Sequence, residues 1–121
     1  MKTIAVVGMS PKPERPSHYV SVYMSQNGYN IIPVNPGHNS IMGKTSYSSL
    51  LDIKENVDIV NVFRRSEYVL PIINDAVSIK AKAVWLQDGV ISEEGEKIAK
   101  ENEMLFIMND CLLRRHKQYN G

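Results

Sequence analysis

Apolar residues recur along this chain in two rhythms. Short, often β-branched runs occupy residues 3–7, 30–34, 58–62, 83–86 and 104–108, most of them flanked by turn residues as buried strands are. Between these runs the spacing becomes helical. Residues 17–27 form a polar-apolar stretch that halts at Gly28, a natural helix stop. Residues 67–79 set Val69, Ile72, Ile73, Ala76 and Val77 on one face, with Ser66 placed to cap the helix. Residues 92–102 open with Ser92 as a cap, followed by Glu93 and Glu94 where the helix dipole favours acids. The connection over residues 36–57 is longer and less regular; a short helix over 47–52 and a turn at Gly43 are predicted there.

Strands alternating with helices imply α/β architecture, with parallel pairing through right-handed crossovers and a sheet covered on both faces. Ligands in such sheets bind beyond the carboxyl ends of the strands, where the strand order reverses. That rule selects Gly8-Met9-Ser10, Asn35-Pro36, Phe63-Arg64-Arg65, Gln87-Asp88-Gly89 and Asn109-Asp110-Cys111. The polar stretch 114–121 reads as a partly mobile tail.

Composition narrows the classes of partner. The 121 residues suffice for one domain with a single buried core, and 14 basic against 13 acidic residues leave a net charge of +1. No global field steers the chain to nucleic acid or to an anionic membrane, so any anion must be held by local geometry. One cysteine, Cys111, rules out an internal disulfide framework and suits a reducing compartment. The strand-like start carries no signal-peptide pattern, and no window approaches ~18 uninterrupted apolar residues. A cytoplasmic location is the expectation.

The opening Ile4-Ala5-Val6-Val7-Gly8-Met9-Ser10 carries the most chemistry. An apolar strand, a Gly-x-Ser turn and a helix start direct free N–H groups and the positive helix end at one spot, where a phosphate is favoured. Gly8 allows a tight turn or a close approach, Ser10 offers a hydroxyl, and Lys12 and Arg15 supply charge. The turn lacks the second and third glycines of G-x-G-x-x-G, and the second strand ends in Val34-Asn35-Pro36 without the acid that holds a dinucleotide's ribose. A P-loop is also absent. Pro33 and Pro36 either make a rigid strand exit or stiffen a wall for an adenine ring, with Asn35 supplying amide hydrogen bonds. Arg64 stands at the sheet's carboxyl edge, where it faces either ligand or solvent. Trp85 reads as core, and Gln87 lies within reach of a ligand amide. Cys111 has no activating base beside it and reads as structural. His18, His38 and His116 lack metal-ligand spacing, and no Ser-His-Asp or paired-carboxylate set can be argued.

Taken in order, Val6-Val7-Gly8-Met9-Ser10, Arg15, Pro33-Val34-Asn35-Pro36, Gly43, Val57-Asp58-Ile59-Val60, Phe63-Arg64, Trp85-Leu86-Gln87, Gly89 and Asp110-Cys111 resemble the small stand-alone CoA-binding domain proteins. These are similar to the nucleotide-binding domain of the succinyl-CoA synthetase α subunit. The resemblance spans Ile4 to His116 and implies a Rossmann-like, doubly wound, five-stranded parallel sheet with helices on both faces, in one domain over residues 1–121. It implies that coenzyme A or an acyl-CoA is the ligand. Gly8, Met9 and Ser10 would meet the phosphates and the start of the pantetheine, with Lys12 and Arg15 adding charge. Val34, Asn35 and Pro36 would line the adenosine side, and His38 falls near a lysine that the synthetase uses for phosphate. Phe63 and Arg64 would line the pantetheine path, and Gln87 its far end. Arg115 precedes His116 where members commonly carry Glu-His, and His38 in place of lysine would weaken or pH-tune the phosphate contact.

The synthetase's phosphohistidine lies outside this domain, so the resemblance implies binding rather than ligase chemistry. A small nicotinamide-dependent enzyme of the same fold and a CoA-linked thiol redox protein using Cys111 are the alternatives. The expected partner is a small-molecule ligand, CoA, with no nucleic acid and no membrane; a homo-oligomer or an unidentified protein partner stays open.

Overall fold

The two rhythms resolve into eleven elements in the computed structural model, which describes residues 2–120. They are β1 (Thr3–Val7), α1 (Pro16–Gln26), β2 (Asn30–Val34), β3 (Ser40–Ile41), β4 (Lys44–Thr45), β5 (Ile59–Val62), α2 (Val69–Ser78), β6 (Ala83–Leu86), α3 (Glu93–Glu101), β7 (Leu105–Ile107) and α4 (Leu112–Asn120). Two 3-10 turns, Leu50–Asp52 and Ser66–Tyr68, join them. Five strands form one sheet in the order β2-β1-β5-β6-β7, all paired in parallel. The α/β, Rossmann-like expectation is met.

Alternation along each strand divides the apolar side chains into two cores. Ile4 and Val6 of β1 pack with Val20 and Met24 of α1 and Leu112 of α4. Ala5 and Val7 face the opposite way, with Val69, Ile73 and Ala76 of α2 and Ala99 of α3. Parallel strands flanked in this way have no wet face, which is why β1 and β5 contain almost no polar residue. From β1 the chain first builds outward to β2 and then returns to lay β5 on the other side of β1. The reversal leaves a crevice beyond the carboxyl ends of β1 and β5.

Local chemistry sets the helix limits. Pro16 opens α1, and Gly28 at φ +91° closes it as the N–H groups of Gly28 and Tyr29 donate to Ser25 O and Met24 O, each at 3.2 Å. Ser92 caps α3 by accepting from the Gly95 N–H at 3.0 Å, with Glu93, Glu94 and Glu96 in the first turn.

Three local expectations are corrected. Ser66 does not cap α2; it begins a 3-10 turn, and its hydroxyl oxygen instead accepts from the Ile91 N–H at 2.9 Å. The helix expected over 47–52 shrinks to Leu50–Asp52, because Tyr47 bridges Val34 and extends the sheet edge instead. The turn expected at Gly43 is present, in a small hairpin of β3 with β4 in which Met42 and Gly43 both have positive φ (57° and 72°).

The third concerns the supposed tail: residues 114–120 are helical, and Gly121 lies outside the described residues. Several of its polar residues have partners. Arg114 forks onto Asp88 at 2.9 and 3.1 Å and reaches Asp110 at 2.9 Å, and Arg115 also bonds Asp110. His116 Nδ1 lies 2.8 Å from the Tyr23 hydroxyl, and its ring meets Tyr23 and Tyr29 edge-on. Burial works against ionisation of Asp110, but the hydrogen bonds from Arg115 and Arg114 outweigh it and hold the carboxyl below its ordinary value.

At the opposite end of the sheet Asp58 ties three strands together. Its Oδ2 accepts the N–H groups of Lys2 and Thr3, each at 2.9 Å, and its Oδ1 lies 3.2 Å from Lys82 Nζ. The bonds from Thr3 and Lys2, with help from Lys82, lower the carboxyl pKa from 3.8 to about 2. A carboxyl depressed in the folded state stabilises above its unfolded pKa and loses that contribution as pH falls through the folded value. Asp58→Asn should cost about 1–2 kcal/mol in urea unfolding at pH 7. The gap to the unsubstituted protein should narrow between pH 4 and pH 2; a pH-independent gap would contradict the role given to Asp58.

Candidate functional site

The crevice at the strand reversal is built around Gly8. It leaves β1 at φ +85°, with its N–H donating to Val34 O at 2.9 Å. A Cβ placed there would lie 2.8 Å from Phe63 O and 3.0 Å from Arg64 Cδ. Only glycine lets the β1 and β5 exits come this close.

The loop that follows is braced by its own polar groups. The Ser10 N–H donates to Ser17 Oγ at 2.9 Å, the Lys12 N–H to Ser10 Oγ at 3.1 Å, and His18 Nδ1 to Ser10 O at 2.9 Å. Asn35 crosses from the end of β2: its Nδ2 donates to Met9 O at 2.9 Å while its Oδ1 accepts the Gly37 N–H at 2.9 Å. The first turn of α1 carries neither an acid nor a capping side chain, so its positive end faces the loop uncompensated.

Two lobes open on either side of Gly8, sharing Gly8, Asn35 and Phe63. One, of ≈ 500 Å³, is lined by the Ser10–Lys12 loop, Arg15, Pro16, Ser17 and His38. The other, also ≈ 500 Å³, is lined by Arg64, Arg65 and Tyr68. No carboxylate lines either lobe. Cations line both lobes, so such a cleft suits an anionic ligand.

Of the residues picked from the sequence, the structure brings together Gly8, Ser10, Lys12, Arg15, Asn35, His38, Phe63 and Arg64. It does not bring four others to the cleft by their side chains. Met9 is fully buried among Ile4, Val6 and Val20 and meets the loop only through its carbonyl. Val34 belongs to the core on the other face of the sheet, because strand alternation turns it inward. Pro36 is exposed but does not line either lobe. Gln87 is buried, its Nε2 donating to Asn61 Oδ1 at 2.6 Å.

Pro11, Pro16, Ser17 and Tyr68 line the cleft without having been singled out, and Arg65, selected only as part of a strand end, lines it too. Ser17 could have been found as the first polar residue after the α1 proline. Tyr68 gave no signal, because a 3-10 turn rather than a regular helix brings it back toward Arg64. Cys111 is half-buried, its N–H donating to Asp110 Oδ1 at 2.9 Å. Trp85 is half-buried rather than fully core, donating Nε1–H to Asp110 O at 2.8 Å. Among the described residues no group of three or more His, Cys, Asp or Glu could hold a metal ion, and no helix is long and apolar enough to cross a membrane.

Comparison with known proteins places the chain in a family. The family described as CoA binding domain matches residues 2–117. The uncharacterized protein YneT of Bacillus subtilis (strain 168) is 43% identical over 115 residues, covering 95% of this chain and 85% of the relative. The ADP-forming acetate–CoA ligase II of Archaeoglobus fulgidus is 31% identical over 101 residues, which are 82% of this chain but 15% of the ligase. Among solved structures, a hypothetical protein from Pyrococcus horikoshii OT3 superimposes with a TM-score of 0.96 at 35% identity, over 99% of this chain and 84% of that one.

The close approach at Gly8 makes a direct prediction. Gly8→Ala should lose at least about 1–3 kcal/mol of stability through the positive φ alone. The new methyl group should also push the Phe63 and Arg64 backbone outward. Denaturant unfolding checks the first effect, and amide shift changes confined to residues 8–10 and 62–65 check the second.

Proposed function

The chain belongs to the CoA binding domain family, and on that premise we propose that the two-lobed cleft binds coenzyme A or an acyl-CoA as a module without chemistry of its own. One observation carries the reading: every formal charge lining the cleft is positive, in a chain whose net charge is only +1. The loop lobe takes the phosphates. Lys12 and Arg15 provide charge, the Ser10 hydroxyl a donor, and the open end of α1 a favourable dipole. His38 stands on the same side, where its ring can donate a hydrogen bond to a phosphate oxygen. The adenosine lies along the wall formed by Asn35. Because both ends of the Asn35 amide brace the loop, that residue shapes the wall more than it reads the base. The pantetheine arm leaves past Gly8 and Phe63 into the second lobe.

The partners of the polar groups support a binding role. The Ser10 hydroxyl oxygen accepts from the Lys12 N–H, and His18 bonds the Ser10 carbonyl rather than its hydroxyl, so this pair is not arranged as nucleophile and base. The strand end at Asn35 offers no acid to a nicotinamide dinucleotide's ribose.

In a thermal-shift titration, CoA should raise the unfolding midpoint, with a stabilisation of about 2.7 kcal/mol at a hundredfold excess over its Kd. Dephospho-CoA should stabilise less, and Arg15→Ala should weaken CoA binding by about five- to tenfold. Stabilisation by NAD or NADP with none by CoA would overturn the reading.

A further inference from the structure

The sheet has two edges, and they are finished differently. β2, at one edge, is guarded: Pro33 lacks an N–H, and Tyr47 covers the backbone beside it. The Tyr47 N–H donates to Pro33 O at 3.0 Å, and its carbonyl accepts the Asn35 N–H at 2.8 Å. β7, at the other edge, pairs only with β6. The run Met104-Leu105-Phe106-Ile107-Met108 carries no charge and no proline, the devices that usually keep an edge from pairing. Leu105 and Ile107 remain 60% and 41% exposed.

The backbone sets what this edge can accept. The Leu105 N–H donates inward to Lys82 O at 3.0 Å, so the next residue, Phe106, turns its N–H and C=O outward. Leu105 and Ile107 share a face with Ala83 and Trp85, their partners in β6. On that face a largely apolar groove of ≈ 360 Å³ separates the sheet from α4, with Trp85, Ile107, Leu112 and Tyr119 in its lining. Tyr119 is 83% exposed.

We propose that the β7 edge is a dimerisation surface, where two copies of this chain pair antiparallel about a two-fold axis through Phe106 and form one continuous sheet. The two Phe106 residues exchange both of their outward hydrogen bonds. Leu105 then stands opposite the second copy's Ile107, and Ile107 opposite its Leu105, so the exposed apolar side chains cover each other. Glu103 falls opposite Asn109, and no like charges meet across the seam. A foreign strand would need a matching sequence, whereas a second copy matches by symmetry. A seam this short is small against the roughly 1,200 Å² of a specific interface, so the flanking grooves must add to it. The axis sets both α4 helices on one side of the joined sheet, with a Tyr119 on each flank of the Leu105–Ile107 cluster. Because the β2 edge is guarded, pairing closes at two copies. The clefts lie at the far strand ends of each copy, so assembly does not depend on what they bind.

Sedimentation equilibrium of the full chain, from about 1 to 300 μM, tests this. The mass should rise to twice that of the chain and stop there. Leu105→Lys and Ile107→Lys change exposed positions, so circular dichroism should show an intact fold. Each should raise the dimer dissociation constant at least about tenfold. The register is read by cross-linking in a Cys111→Ser background. Leu105→Cys mixed with Ile107→Cys should form a disulfide-linked heterodimer, while neither links with itself, since like positions lie diagonally across the seam. A monomer at every concentration overturns the proposal, whether the edge then takes a foreign strand or none. Assemblies larger than two, a dimer indifferent to both lysines, or cross-linking only between like positions also overturn it.

Discussion

The molecule depends on two strand exits that nearly touch. Parallel β1 and β5 end side by side at the point where the chain reverses its direction of building, and Gly8 lets the carbonyl of Phe63 come within the space a side chain would fill. The contact places the loop after β1 against the segment after β5. Asn35 then reaches from the end of β2 to the Met9 carbonyl and closes the third side. Three strand ends are thus held in one crevice by a missing methyl group and one bridging amide.

Charge is distributed to suit that geometry. Acidic residues are drawn off to structural tasks: Asp58 gathers the starts of β1 and β6, Asp88 and Asp110 bind Arg114 and Arg115, and Glu93, Glu94 and Glu96 face the dipole of α3. The cleft keeps Lys12, Arg15, Arg64 and Arg65 without an acid among its lining residues. A nearly neutral chain can in this way present a locally cationic site, and long-range steering contributes little compared with the field inside the cleft.

Regular periodicity was the legible part of the sequence. Ile4-Ala5-Val6-Val7 and the runs at 30–34 and 83–86 read directly as strands because burial on both faces demands unbroken apolar sequence. Ser92 with Glu93 and Glu94 marked a helix start, and Gly28 marked a stop, because each meets a local need of the backbone. Ser66 misled, since a serine oxygen serves a neighbouring loop as readily as a helix start. Residues 114–120 misled more seriously. Their polarity resembled a tail, but the partners that make them a helix, Asp88, Asp110 and Tyr23, lie between 4 and 93 positions away.

Within the site the division runs between residue type and residue direction. From the sequence alone came the parallel α/β plan, the glycine at the first strand end, the cations beside it and the lack of a ribose-binding acid, because each depends on composition at a known place in a repeating pattern. Only the tertiary structure decided that Met9 and Val34 turn into the core, that Gln87 is taken by Asn61, and that Tyr68 returns beneath Arg64. The physical reason is that side-chain direction and pairing are settled by packing between segments distant in the chain. No local pattern encodes which of two polar neighbours will be satisfied inside the protein and which will be left facing the cleft.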